Sequence, residues 1–216
     1  MKKGAIFDMD GTMFDTERLY METWDAAAVQ MGQTPSPAFW EDAGGTSGEA
    51  LNAVIRKHYP ALDAGEYIAA GMKKLWEALE VCVPEKPGLR EILRFFQERG
   101  VRMAVASSSP PEMIGNNLRV TGTARYFDVV VSGEQVAHSK PAPDIFLCAA
   151  ERLGLAPEDC YVFEDSPNGV RAGAAAGCAT IMIPDLTVPA EEMRRLALCI
   201  CANFDEVRRA IEIGKI

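Results

Sequence analysis

No stretch of this chain is apolar for long enough to cross a bilayer, which takes about 20 residues. The opening Met1-Lys2-Lys3 is like the charged start of a secretion signal, but Asp8 and Asp10 interrupt the apolar segment that should follow. Positive charge is also scarce. The 22 Lys and Arg stand against 31 Asp and Glu, a formal net charge of -9. That argues against a nucleic-acid partner, for which a basic stripe is expected. It also sets the whole protein's field against an anionic ligand, so local groups must overcome it. A disulfide framework is not in evidence either. Cys82, Cys148, Cys160, Cys178, Cys199 and Cys201 lie mostly inside apolar strand or helix patterns, as reduced thiols do. Cys199-Ile200-Cys201 reads as two residues on one face of a strand, more simply than as a metal site. A reducing, cytoplasmic location without membrane contact is the expectation.

What the chain does contain is an ordinary globular composition, 48% apolar and 25% charged over 216 residues. Short apolar runs at 5–7, 101–106, 129–131, 161–163 and 180–183, with a weaker one at 198–201, are continuous rather than alternating. Such runs predict strands buried on both faces. Between them lie segments with helical spacing. Residues 88–99 place Leu89, Ile92, Leu93 and Phe96 on one face, with Gly100 to close the helix. Residues 141–153 and 166–176 alternate with strands in the same way. The fold class is therefore α/β, a Rossmann-like parallel sheet with helices on both faces. Gly169, Gly173 and Gly177 clear one face of the last helix, which predicts close packing on the sheet.

Residues 15–85 break this alternation. They contain no convincing strand and read as helices at 16–31, 47–58 and 64–79, with a glycine-rich joint at 44–48. An inserted all-α cap domain at 15–85, within a core of 1–14 and 86–216, is one reading. Helices that merely cover a sheet face are the other.

Ligands of open parallel sheets bind beyond the carboxyl ends of the strands. Asp8 and Asp10 follow the first run, Ser107 to Ser109 the second, Lys140 the loop after the third, and Glu164-Asp165 the fourth. Two carboxylates at i and i+2 repel and raise each other's pKa, so a divalent metal bound through oxygen is a natural occupant. An Asx-type turn ahead of the next helix is the plainer alternative. The serines before Pro110 serve either as hydroxyl ligands or as caps, and Glu164-Asp165 as ligands or helix-start acids. Lys140, directly before Pro141, puts a cation at the positive end of an expected helix. An anion held between them resolves that conflict, and a solvated lysine is the alternative.

Four motifs together, in order, resemble the haloacid dehalogenase superfamily, in its beta-phosphoglucomutase-like phosphatase branch. They are Phe7-Asp8-Met9-Asp10-Gly11-Thr12, Val105-Ala106-Ser107-Ser108-Ser109, Ser139-Lys140-Pro141 through Phe146, and Val162-Phe163-Glu164-Asp165-Ser166 through Gly177. The resemblance implies Asp8 as nucleophile and Asp10 as general acid and base. It implies Ser107 and Lys140 on the phosphoryl oxygens. It also implies Mg2+ on Asp8, Asp165 and the backbone carbonyl of Asp10, with Glu164 in support. Asp10 argues against dehalogenation, since the dehalogenases typically lack that second aspartate. Tyr20 and Gly48 stand where the mutases carry a cap histidine and, nearby, an arginine, which favours hydrolysis. The expectation is a monomeric phosphatase acting on a small phosphate ester, a sugar or polyol phosphate, through an aspartyl-phosphate. Met13, Phe14 and Tyr20 are expected at the entrance, with Tyr20, Gly45 and Thr46 choosing the substrate. A phosphosugar mutase and a non-catalytic regulatory module are the alternatives.

Overall fold

The computed structural model describes residues 1–43, 46 and 48–216. Gly45 and most of the glycine-rich joint lie outside the described residues. The apolar runs become β1 (Gly4–Phe7), β2 (Arg102–Ser107), β3 (Val129–Ser132), β4 (Cys160–Glu164), β5 (Ala179–Met182) and β6 (Cys199–Ile200). All pair in parallel, in the order β3-β2-β1-β4-β5-β6. Phe7 at the end of β1 lies level with Val105 on one side and Phe163 on the other. Strand order reverses at β1 and β4, and in such sheets the crevice beyond that reversal is the ligand site.

The helices are α1 (Thr16–Gln30), α2 (Pro37–Ala43), α3 (Gly48–His58), α4 (Ala64–Val81), α5 (Leu89–Glu98), α6 (Pro111–Thr121), α7 (Asp144–Leu153), α8 (Pro167–Ala175), α9 (Glu191–Leu196) and α10 (Phe204–Glu212). Among the described residues, no helix is long and apolar enough to cross a membrane. The chain divides into two compact units, Met1–Asp15 with Val83–Ile216, and Thr16–Cys82.

In the sheet unit both faces are covered, which is why the strand sequences are continuously apolar. Ile6, Ala104 and Val162 share a core cluster with Ile145, Phe146 and Ala149 of α7. The next side chain along β1, Phe7, points to the opposite face. It meets Phe96, Phe127, Phe163 and Phe204 at ring-centroid distances of 4.7–6.3 Å. One pleat therefore serves two cores, and β1 is pinned from both sides.

Two helix starts carry the site. Ser166 caps α8, its hydroxyl accepting from the Gly169 N–H at 3.0 Å, and Pro167 takes the first helical position. A Cβ on Gly169 would lie 1.8 Å from the Glu164 carboxyl carbon, and one on Gly173 would lie 2.5 Å from Thr180 Oγ1. These two glycines seat α8 against β4 and β5. Gly177 does not belong with them. Its φ is +81° with no neighbour within 4 Å, so it turns the chain out of the helix in the left-handed region.

The helix expected from Pro141 begins instead at Asp144. Pro143 disfavours helical geometry at Ala142, and residues 139–142 form a turn in which the Ala142 N–H donates to Ser139 O at 3.0 Å. The Lys140–Pro141 bond is cis. Lys140 thus lies in a loop ahead of the helix, not in its first turn as expected.

The two passages between the units lie side by side in the sheet unit. The Asp15 N–H donates to Pro84 O and the Lys86 N–H to Met13 O, each at 2.9 Å, with Phe14 bridged to Glu85. Those bonds draw Asp15 and residues 83–85 into the sheet unit, whereas the sequence breaks were drawn after 14 and after 85. Met13 and Phe14 are not entrance residues. Both are fully buried, because this ribbon turns their side chains inward.

The helical unit has its own core of Trp24, Phe39, Ile55, Tyr59 and Tyr67. A Cβ on Gly71 would meet the Trp24 ring at 2.7 Å, so α4 can approach α1 only as glycine there. The unanticipated α2 is a seven-residue helix with Pro37 at its start and Phe39 buried. It is too short for periodicity to reveal.

Candidate active site

Asp8 follows the last residue of β1. Its backbone N–H donates to Phe163 O of β4 at 3.0 Å, so the ladder continues one residue beyond the strand. The chain then closes on itself, since the Met13 and Phe14 N–H groups both donate to Met9 O, at 2.9 and 3.0 Å. This loop needs a glycine at position 11, where φ is +76° and a Cβ would meet Asp165 Oδ2 at 2.5 Å. The glycine lets the loop lie directly against the acid that follows β4. Thr12, fully buried, donates through its hydroxyl to Asp165 Oδ1 at 3.0 Å. Thr12 stands in the same motif as Asp8 and Asp10, and no pattern in the sequence marks its hydroxyl as a partner of Asp165.

Lys140 reaches back from its loop to the centre of this edge. Its Nζ lies 2.5 Å from Asp8 Oδ1, 2.6 Å from Glu164 Oε1 and 3.3 Å from Ala106 O. The side chain is only 8% exposed, and a solvated surface lysine is thereby ruled out. Glu164 is 1% exposed and fully engaged. Its Oε2 accepts from the N–H groups of Asp165 and Ser166 and from the Ser166 hydroxyl, at 3.0–3.1 Å. Glu164 therefore ties the lysine to the start of α8.

The electrostatics of the group are unbalanced. Burial raises the Asp8 carboxyl well above its ordinary range. Lys140 pulls it down, and Glu164 and Asp165 push it further up. Burial works to strip the proton from Lys140, but Asp8 and Glu164 outweigh it and hold the ammonium above the usual lysine range. Asp8, Glu164 and Asp165 offer oxygens all within 4.8 Å of one another. Three carboxylates against one ammonium leave two negative charges, which a divalent cation would match. An all-oxygen donor set suits a hard ion such as Mg2+. Since both oxygens of Glu164 are already held, Asp8 and Asp165 are the better ligands.

Asp10 turns elsewhere. Its Oδ2 accepts from the Ser109 hydroxyl at 2.6 Å, with Ser107 Oγ at 3.4 Å. Ser107, 1% exposed at the end of β2, accepts from the Ser109 N–H at 3.0 Å. Asp8, Asp10, Ser107, Lys140, Glu164 and Asp165 thus come from the ends of strands and the loops after them to one edge of the sheet. Tyr20 and Thr46 belong to the helical unit. The Tyr20 hydroxyl donates to Met72 Sδ at 3.2 Å and its ring stacks on Trp24, while the Thr46 hydroxyl donates to Ala43 O at 2.8 Å.

A family model for haloacid dehalogenase-like hydrolases matches residues 2–177. The chain belongs to that family. Among its hydrolase relatives, the phosphorylated carbohydrates phosphatase of Thermotoga maritima is 35% identical over 188 residues, covering 83% of each chain. A Thermotoga maritima structure provisionally named a beta-phosphoglucomutase is 28% identical, covers 98% of this chain and 99% of that one, and superposes with a TM-score of 0.85. The structure of CbbY from Rhodobacter sphaeroides in complex with phosphate is 27% identical, covers 96% of both chains and has a TM-score of 0.78. The haloacid dehalogenase-like family thus accounts for both the sheet order and the four motifs.

Proposed function

We propose that this hydrolase is a Mg2+-dependent phosphatase that cleaves small sugar or polyol phosphates through an aspartyl-phosphate on Asp8. The observation that carries the reading is the buried Asp8 carboxylate at the end of the central strand, clamped by Lys140 at 2.5 Å and faced by Asp165. The phosphatase relative named above supports the substrate class.

In this reading Asp8 attacks phosphorus, and the bond from phosphorus to the substrate's alcohol oxygen breaks. Asp10 gives that oxygen its proton. It then takes a proton from the water that attacks the phosphorylated Asp8, and phosphate leaves with Asp8 restored. Lys140 keeps Asp8 oriented and offsets the charge of the arriving phosphoryl group. The Ser107 hydroxyl takes a phosphoryl oxygen beside it. Asp8, Asp165 and the Asp10 carbonyl would hold Mg2+, with Glu164 in support. That ion supplies positive charge against the repulsion between carboxylate and phosphate. Residues 15–85 act as the cap, with substrate choice assigned to Tyr20, Gly45 and Thr46. The six free thiols fit a reducing cytoplasm, and the protein acts as a monomer.

A panel of sugar and polyol phosphates, assayed for released phosphate with Mg2+ and with EDTA, tests the proposal. Phosphate release that EDTA abolishes and Mg2+ restores is expected. Turnover indifferent to EDTA, or none across the panel, would overturn it. Accumulation of an isomeric phosphate only when a bisphosphate is added would replace hydrolysis with the mutase reading.

A further inference from the structure

We propose that Ser109 is a positioning residue that sets the Asp10 carboxyl for proton delivery to the leaving oxygen. The inference rests on the assignment of Asp10 as the acid. Ser109 lies two residues beyond β2, and nothing in its motif distinguishes it from Ser107 or Ser108. The structure does distinguish it. Its hydroxyl donates to Asp10 Oδ2 at 2.6 Å, much closer than the 3.4 Å of Ser107.

Both backbone groups of Ser109 are also held. Its N–H donates to Ser107 Oγ at 3.0 Å, and its carbonyl accepts from Ser132 Oγ at 2.8 Å. Ser132 ends β3, is 1% exposed, and lies level with Ser107 in the sheet. The loop beneath is packed just as closely, since a Cβ on Gly133 would come within 3.1 Å of Ser108 Cα. The Ser109 hydroxyl thus stands on a platform made by the ends of β2 and β3, while Asp10 is carried by the loop after β1.

A carboxyl group acting as an acid must aim one oxygen at its target, and its terminal torsion is broad and roughly two-fold. A short hydrogen bond to Oδ2 restricts that torsion and fixes how the carboxyl faces the leaving oxygen. When the proton passes to the leaving oxygen and the bond from phosphorus breaks, Asp10 is left a carboxylate. The Ser109 donation, present throughout, strengthens as that charge forms. Ser109 itself neither gains nor loses a proton.

The test uses phenyl phosphate and p-nitrophenyl phosphate, which have nearly the same shape. Phenol resembles the tyrosine side chain, with a pKa of about 10, and needs the proton far more than the nitro-stabilised phenolate. Because kcat/KM covers steps only through departure of the phenol, the later water step does not enter. Ser109→Ala deletes the hydroxyl and leaves both backbone bonds in place, so the fold is kept, checked by an unchanged Tm. It should lower kcat/KM for phenyl phosphate about tenfold more than for p-nitrophenyl phosphate, a fraction of a full acid–base contribution. Ser109→Thr, which keeps the hydroxyl, should restore the ratio. Asp10→Asn should shift the ratio furthest. Equal losses on both substrates in Ser109→Ala, while Asp10→Asn separates them, would overturn the role of Ser109 alone. Failure of Asp10→Asn to separate them would remove the acid assignment and this inference with it.

Discussion

The burial of Asp8 among other acids comes at a cost in stability. Burial and two neighbouring acids raise its pKa above the unfolded value of 3.8, with Lys140 only partly opposing them. The native state therefore holds its proton to higher pH than the unfolded chain. The stability contributed by the neutral acid is present below the unfolded pKa and is lost as pH rises through the folded one. At neutral pH, without metal, the folded protein bears that penalty. Asp8→Asn removes a negative charge from a group with two in excess. It is expected to raise Tm in EDTA by several degrees while abolishing turnover in Mg2+, a trade typical of strained sites. Scanning calorimetry beside a phosphate-release assay checks both halves. A lower Tm would mean that the Lys140 pairing outweighs the burial and repulsion. Sequence identified Asp8, Asp10 and Lys140, because acids and a lone amine at strand ends are conspicuous. The resemblance singled out Ser107 alone, and the short contact of Ser109 with Asp10 stayed hidden, since three adjacent serines differ only in where the loop aims them.

Among the elements, α8 shows how closely a helix can be seated on a buried acid. The helix presses Gly169 onto the buried carboxyl of Glu164, which in turn holds Lys140 and the first N–H groups of the α8 start. Gly169→Ala puts a methyl group where that carboxyl carbon stands. Overpacking of this kind costs about 1–3 kcal/mol or more. For a chain of this length the expected fall in Tm is about 2–12 °C. Activity should fall further than stability predicts, because Glu164 cannot move without moving Lys140. Chemical denaturation beside kcat/KM distinguishes the two. An alanine tolerated without loss in either would mean that α8 slides freely on the sheet. The glycine spacing announced this contact at Gly169 and Gly173 but misread Gly177, since glycine serves close approach and left-handed turns alike. The start of α7 was misplaced for a related reason. A proline is welcome at a helix start, yet a second proline two residues later keeps Ala142 out of helical geometry, and the chain turns before the helix begins.

For the whole molecule, the two-sided sheet buries groups whose ionisation the unfolded chain would allow. Burial raises Cys160 to about 11 and Cys178 to about 12, from 9.0. Both lie in the cluster beneath α7 and α8. Burial also raises Tyr161 on β4, and in the helical unit Tyr59 and Tyr67. Above pH 9 the unfolded chain loses protons that the native protein keeps, so the unfolded state binds fewer and stability falls as pH rises. Tm should be flat with respect to these groups below pH 9 and decline from there toward pH 11. Replacing both cysteines by alanine should flatten the first part of that decline, at some cost in packing. A Tm unchanged up to pH 11 would mean that water reaches these thiols in the folded state.

The residue pattern already carries the class of fold, an all-helical stretch after the first strand, and the acids and the lysine that stand at the strand ends. Continuous apolar runs admit few arrangements other than a covered parallel sheet, and unusual polar residues at their ends stand out against that background. Tertiary structure alone decided which groups touch. Strand order brings β1 and β4 side by side, so Lys140 can bridge acids 156 residues apart, Asp8 and Glu164, in one reach. It also sets Ser109 closer than Ser107 to Asp10, and it buries Met13 and Phe14. Local pattern records what each segment prefers. Distances across a sheet depend on the register and loop paths of every strand at once, and no window of sequence contains them.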